Sequence, residues 1–219
     1  MLNYTNGRAI LSSEMATTHE RRRRADGERS RQKILRAAAN LATVDGLEGL
    51  SIGSLADHIE MSKSGLYAHF RSKEQLQLET VETALQILNT LVVEPAEAAA
   101  DPLERLRTLY DSFLDHIEAR VFPGGCFFVS AESELGVREG PVKDRVAELQ
   151  RAWAARVEEF VREAQAAGEL PADEDPAQLA FELDAYGMMG NVGFVLHDDP
   201  AYLEHARAAI HRRLRRRRK

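Results

Sequence analysis

The 219-residue chain is poor in the features that announce an exported protein or an enzyme. Its one cysteine, Cys126, excludes an internal disulfide and any Cys-x-x-Cys zinc spacing, fits a reducing compartment, and is expected as a small buried hydrophobe. No run approaches the roughly 20 consecutive apolar residues that span a bilayer, and the first 30 residues lack the apolar centre of a signal peptide. A cytoplasmic protein without a membrane partner is therefore expected. There is no G-x-S-x-G elbow, no H-E-x-x-H, no phosphate loop and no Cys/His cluster. Ser30 and Lys33 match S-x-x-K, but they stand at a charged helix start without a second motif. Neither enzyme activity, nor a metal, nor a cofactor is expected. Alternating strand patterns and internal repeats are also missing, which removes the aromatic sheet platforms that bind single-stranded nucleic acid.

What the chain does have is charge, unevenly placed. Residues 1–80 carry 12 Lys+Arg against 10 Asp+Glu, residues 81–210 carry 10 against 25, and residues 211–219 add seven basic residues, giving the net −6. A near-neutral head, with its basic residues in short runs, on an acidic body suits a protein that meets a polyanion with one end only. Residues 1–28, with Arg21 to Arg24, read as a flexible arm, and 212–219 as a basic tail. Either can be a solvated end or can follow a DNA groove.

Helical spacing runs through the rest, so the expected fold class is all-α with about nine helices. Helix one carries Ile34, Ala37, Ala38, Leu41 and Val44 up to Asp45-Gly46, where glycine can take the left-handed cap. Ser51 caps a helix to about Ile59, Ser62 a two-turn helix over Lys63–His69, and Ser72 with Gln75 makes a capping-box pattern for the next. That fourth helix is long and is expected to stop at Pro95. Apolar stripes then continue through Leu103–Ile117, Phe127–Leu135 and Val142–Ala164. Two helices opened by Asp175-Pro176 and Asp199-Pro200 are expected to form a dimer seam through Leu179, Leu183, Tyr186, Gly187, Gly190 and Phe194 on the first and Leu203, Ala206 and Ile210 on the second.

Residues 51–76 carry the most information. Ile52, Leu55, Ala56, Ile59, Met61, Leu66 and Phe70 fall where a small helix-turn-helix core needs them, and the positions between are hydroxylated or basic. One face can pack while the other meets DNA. Lys63 and Ser64 lead the short helix and are candidates for base edges, and the N-caps Ser51 and Ser62 can offer hydroxyls to phosphate. Ser51 has the plain alternative of capping only. Gly65 permits close approach of backbone to DNA or packing against helix one, and Lys73 adds charge at a helix start.

The string SKSGLYAHF at Ser62–Phe70, followed by Ser72-Lys73-Glu74-Gln75-Leu76, resembles the TetR family of bacterial transcriptional regulators over residues 29–76. The resemblance implies a helix-turn-helix head over 29–76, a helical effector-binding and dimerisation domain over 77–211, and a homodimeric repressor. Such a repressor binds double-stranded DNA at a pseudo-palindromic operator and leaves it when a small molecule binds. It also implies phosphate contacts by Tyr67 and His69. Glu60 departs from the family, which places glycine at that turn; a left-handed glutamate costs on the order of 1 kcal/mol. For the effector pocket, Phe113, His116, Phe127, Trp153, Tyr186 and Asn191 combine bulk with apolar stripes, although each is also an ordinary core or interface residue. The alternative reading is an architectural nucleic-acid-binding protein without effector control.

Overall fold

The computed structural model describes the backbone of residues 6–215 and the side chains of residues 26–215. Among the described residues every regular element is helical. The order is α1 (Asn6–Asp45), α2 (Ile52–His58), α3 (Lys63–Tyr67), α4 (Lys73–Leu88), a π-helical turn (Asn89–Val93), α5 (Glu94–Ala98), α6 (Pro102–Glu118), α7 (Phe127–Leu135), α8 (Pro141–Ala166), α9 (Pro176–His197) and α10 (Ala201–Arg213). These are the nine expected helices, the fourth divided into α4, the π turn and α5. Pro95 does not stop that helix. The helix loosens by one residue per turn just before it, so the proline falls in the first turn of α5, where its missing N–H and its ring are tolerated. The segment expected as an arm continues α1 back to Asn6; the side chains of Arg21 to Arg24 and the tail beyond residue 215 lie outside the described residues.

Two apolar cores hold the chain. The first gathers α1 to α4 around Leu50, Leu55, Leu66, Phe70 and Leu76, all fully buried. It also takes Phe122, Phe127, Leu135, Val142 and Val146 from beyond residue 76, so the head completes its core with α7 and the start of α8. Helix α1 buries Ile34, Leu35, Ala38, Ala39, Leu41 and Ala42, whereas Val44, expected on the same stripe, is 63% exposed because the buried arc lies on the other side of that last turn. The second core fills the body with the stripe Leu103, Leu106, Tyr110, Phe113 and Ile117 of α6, with Val157 and Phe160 of α8 and with the inner faces of α9 and α10. Asp101 caps α6 by accepting from the Leu103 and Glu104 amides at 3.1 and 3.2 Å, and Asp175 caps α9 by accepting from the Ala177 amide at 2.9 Å.

Helices α9 and α10 pack closely because glycines face the crossing. A Cβ on Gly190 would stand 2.8 Å from the Ala206 Cβ, and one on Gly193 would stand 2.0 Å from the Tyr202 ring. The residues expected at a dimer seam are thus core of the protomer: Leu179, Leu183, Gly187, Gly190 and Phe194 are buried, as are Leu203, Ala206 and Ile210. Sequence periodicity marked the inner faces of these helices, not their outer ones. The outer face of α9 is apolar as well, with Phe181, Met188, Met189, Val192, Val195 and Leu196 exposed.

Candidate nucleic-acid interface and effector cavity

The head is built from three capped helix starts. The Ser51 hydroxyl accepts from the Ser54 amide at 3.0 Å while the Ser54 hydroxyl accepts from the Ser51 amide at 2.9 Å, a reciprocal box that fixes the start of α2. Ser62 Oγ accepts from the Gly65 amide at 3.1 Å and opens α3. Ser72 Oγ accepts from the Gln75 amide at 3.1 Å, and the Gln75 side chain reaches back one residue beyond the cap to accept from the Arg71 amide at 2.9 Å.

Between α2 and α3 the chain turns through Glu60 at φ 55°, the left-handed conformation anticipated at this residue, and the Met61 amide donates to the Ala56 carbonyl at 3.0 Å, closing a Schellman-type cap. Helix α3 is shorter than expected, ending at Tyr67, and its last turn closes by Phe70 N–H donating to the Leu66 carbonyl at 3.0 Å. Leu66 and Phe70 are fully buried. Around them the surface is polar: Ser62, Lys63, Ser64, Arg71 and Lys73 are exposed, Tyr67 is 60% exposed, and Ser51, Gly65 and His69 are half-buried. A Cβ at Gly65 would come within 3.1 Å of the capping Ser62 hydroxyl. Ser54 and Gln75 carry a Cβ at the same position of their own Ser-capped helices, so the cap does not require glycine, and among the described residues no α1 atom lies within 4 Å for Gly65 to pack against. Lys73 is partly committed, donating to the Glu48 carbonyl at 2.6 Å and pairing with the Glu48 carboxylate at 3.3 Å. Arg31 of α1 braces the rear of α3: it donates to the His69 carbonyl at 2.6 Å, pairs with Glu79 of α4 and lies 4.7 Å over the Phe70 ring.

The turn after α1 is tied to the body. Gly46 at φ 83° ends the helix, and the Glu134 carboxylate of α7 accepts from the Leu47 and Glu48 amides at 2.7 and 2.9 Å. Gln77 of α4 donates to the Leu47 carbonyl at 2.6 Å, and Arg36 of α1 donates to the Val121 carbonyl at 2.6 Å just before α7.

A cavity of about 280 Å³ opens inside the body, bounded by α4 and the π turn, α6, α7, α8 and α9. Leu85, Leu88, Val93, Val129 and Leu149 give it apolar walls, and Tyr110, Phe113, Phe128 and Trp153 give it rings. Its polar groups are few. Asp184 of α9 uses one oxygen to accept from both Tyr110 Oη at 2.6 Å and Trp153 Nε1 at 2.9 Å. Burial raises the Asp184 carboxyl above the ordinary carboxylate range against the pull of those two donors, and burial together with Asp184 pushes Glu132 of α7 up to about 7. Desolvation likewise raises Cys126 to about 11 and keeps it a thiol. At the rim Arg156 pairs with Glu97 and, at 2.9 Å, with Glu159.

Of the six residues proposed from sequence for the pocket, Phe113 and Trp153 line this cavity. The other four lie elsewhere. His116 is buried, edge-on to Phe113 at 5.2 Å, and burial lowers it to about 4 against the weaker pull of the Phe113 and Ser112 backbone, so it is a neutral core residue. Phe127 belongs to the head core, packed against Phe122 and Phe128. Tyr186 faces a shallow hollow between α9 and α10 beside Tyr202 and His205. Asn191 is buried and accepts from the Cys126 amide at 2.8 Å, fastening the glycine turn before α7. Missed from the sequence were Tyr110, Glu132, Asp184 and Arg156. A readable signal existed for Asp184: with Ala180, Gly187 and Asn191 it keeps the spacing of the inner stripe of α9, an acid where an apolar residue is the rule. Among the described residues no group of three or more metal-ligating side chains is assembled, and no helix is long and apolar enough to cross a membrane.

Comparison with known proteins agrees with this division. Residues 34–80 match the family of bacterial regulatory proteins called the tetR family, and residues 102–210 match the tetracyclin repressor-like C-terminal domain. The transcriptional regulator AcuR of Cereibacter sphaeroides is 25% identical over 180 residues, which are 81% of this chain and 82% of that protein. A TetR transcriptional regulator of Chloroflexus aurantiacus has the same fold, with a TM-score of 0.78 at 23% identity over 85% of this chain and 94% of that one. The regulator AibR, solved with isovaleryl coenzyme A and operator DNA, superposes with a TM-score of 0.67 at 21% identity over 83% of this chain and 97% of its own.

Proposed function

Since the chain belongs to the tetR family and is a DNA-binding transcriptional regulator, we propose that it acts in the cytoplasm as a homodimeric repressor, holding a pseudo-palindromic operator with α3 of each copy until a small molecule enters the body cavity. The observation that carries the reading is the two-sided short helix: Leu66 and Phe70 fully buried, with Ser62, Lys63, Ser64 and Tyr67 presented outward on a head joined to an acidic body. Lys63 and Ser64 lead α3 and read base edges. Tyr67, His69, Lys73 and the cap hydroxyls of Ser51 and Ser62 hold phosphates, with Gly65 keeping the approach open. Lys73 and Ser51 serve the fold at the same time, through Glu48 and the α2 cap.

The second copy docks on the outer face of α9, where Phe181, Met188, Val192 and Val195 share one side and Met189 and Leu196 flank it. A contiguous apolar face of this kind on a charged protein marks an interface. Met188 also lines the cavity, so ligand and seam share a side chain. The cavity reaches the head along two helices. Leu85 and Leu88 stand at the far end of α4, whose start is in the head, Asn89 opens the π turn after it, and α7 carries Glu132 into the cavity and Glu134 to the Leu47–Glu48 turn. A ligand that fits only one setting of α4 and α7 shifts the heads by its differential affinity, and tens-fold induction needs about 2 kcal/mol.

The test is binding to duplexes selected from random DNA by the full chain. Tyr67→Phe should weaken every duplex about equally, and Lys63→Ala should change base preference. If both variants bind with unchanged affinity and preference, α3 is not the reading helix. If the unaltered protein sediments as a monomer at micromolar concentration, the seam on α9 is wrong.

A further inference from the structure

We propose that the body cavity takes a lipophilic cation, a protonated or quaternary amine carried on an apolar, ring-bearing frame. The proposal rests on the reading of this cavity as the effector site and adds the class of ligand. Its location is carried by the cavity itself, about 280 Å³ between five helical segments and close to the lower end of ligand pockets, which run from roughly 300 to 1,000 Å³. Its class is carried by the chemistry of the walls. Asp184 and Glu132 face the same space from α9 and α7, and among the described residues neither is paired with a cation. The donors on Asp184 are a phenol and an indole, both neutral and both directed at Oδ1.

Among the described residues the one cation at the rim is Arg156, which is committed to Glu97 and Glu159 and stacked 4.9 Å over Phe160. The site therefore holds two carboxyl groups without a cationic partner in an apolar setting, where burial makes their charged forms costly until a positive charge arrives. Both raised carboxyl groups express that cost, and a bound cation relieves it. Tyr110, Phe113, Phe128 and Trp153 add ring faces and edges within the same walls, which attract a cation further and pack a flat frame. An anionic ligand would meet two acids and, among the described residues, no free base.

The test uses the protein's only tryptophan, Trp153, which lines the cavity and donates to Asp184, so its fluorescence reports occupancy without DNA. Four probes share one frame: 4-phenylbutylamine, its N-trimethyl derivative, 4-phenylbutan-1-ol and 4-phenylbutanoate. Both cations should bind at least about ten-fold more tightly than the alcohol, and the acid more weakly than the alcohol. Asp184→Asn keeps an oxygen for Tyr110 and Trp153, and Glu132→Gln keeps the shape of its side chain. Each should reduce the amine-to-alcohol ratio by about three-fold or more while leaving alcohol binding within about two-fold. Equal binding of alcohol and amine, preference for the acid, absence of cation binding at millimolar concentration, or a ratio unmoved in both variants overturns the proposal. Operator release is measured separately. Cations that bind without releasing DNA leave the ligand class standing and overturn the effector reading, and release by the acid alone does the reverse.

Discussion

Replacing Glu134 with alanine should loosen the joint between body and head at two identifiable amides. The carboxylate accepts from Leu47 N at 2.7 Å and Glu48 N at 2.9 Å, in a turn whose carbonyls are held from α4 by Gln77 and Lys73 at 2.6 Å each. Hydrogen bonds to a charged group contribute about 1.5–3 kcal/mol each when buried; the half-buried setting of Glu134 lowers the pair to about 2–3 kcal/mol together. If those bonds protect the amides, Glu134→Ala should speed hydrogen exchange at Leu47 and Glu48 by roughly 30- to 150-fold, since about 1.4 kcal/mol is a factor of ten. Core amides of α9, far from the turn, should change much less.

Glutamine at position 134 retains one acceptor and should give an intermediate rate. Gly46→Ala reaches the same joint from the other side, because its Cβ would stand 2.7 Å from the Glu134 carboxylate at a backbone φ of 83° that disfavours alanine. Residue-resolved exchange by nuclear magnetic resonance measures all three variants. Unchanged rates at both amides in Glu134→Ala would refute the claim that this carboxylate ties the head to α7.

Two further outcomes follow from residues in unfavourable settings. Glu60→Gly should stabilise the protein by about 0.5–1 kcal/mol, seen as a higher urea midpoint at unchanged slope, since glycine carries no penalty at φ 55°; an unchanged or lower midpoint contradicts the strain assigned to that turn. Glu132, raised from 4.5 to about 7 by burial and by Asp184, holds its proton in the folded state where the unfolded chain has lost it, so stability falls as pH rises from about 4.5 to about 7. The groups that share its cavity are Asp184 of α9, Arg156 of α8, Tyr110 of α6 and Cys126 before α7, with uncharged Leu85 and Asn89 from α4 and the π turn. Glu132→Gln should remove this slope and gain on the order of 1–2 kcal/mol above pH 7, discounted for partial exposure, whereas parallel pH profiles for the two proteins would show that the carboxyl is not held in a dry site.

The helices were legible wherever a local rule set them. Ser51, Ser62 and Ser72 cap as their spacing requires, and Glu60 takes the left-handed turn despite being glutamate, between buried Leu55 and Ala56 on one side and buried Leu66 and Phe70 on the other. Pro95 misled because a helix can absorb proline by widening one turn, an adjustment that no residue pattern announces.

The cavity was less legible for a different reason. Its walls come from five helical segments far apart in sequence, and bulk within a stripe marks burial without telling core from lining. Phe113 and Trp153 line the space, whereas Phe127 and His116, with similar credentials, pack solidly. The stripes of α9 and α10 pointed inward for the same reason: periodicity reports the face that packs, and the exposed line of Phe181, Met188 and Val192 shows only when the inner face is accounted for.

In the proposed function α3 reads double-stranded DNA as one of a pair of heads. The most direct test of that role is the stoichiometry and salt dependence of binding to a duplex selected by the full chain. Two chains per duplex on a site with two-fold symmetry, affinity that falls steeply with salt, and loss of sequence preference in Lys63→Ala are expected. One chain per duplex, or a selected site that Lys63→Ala reads as well as the parent protein does, would contradict it.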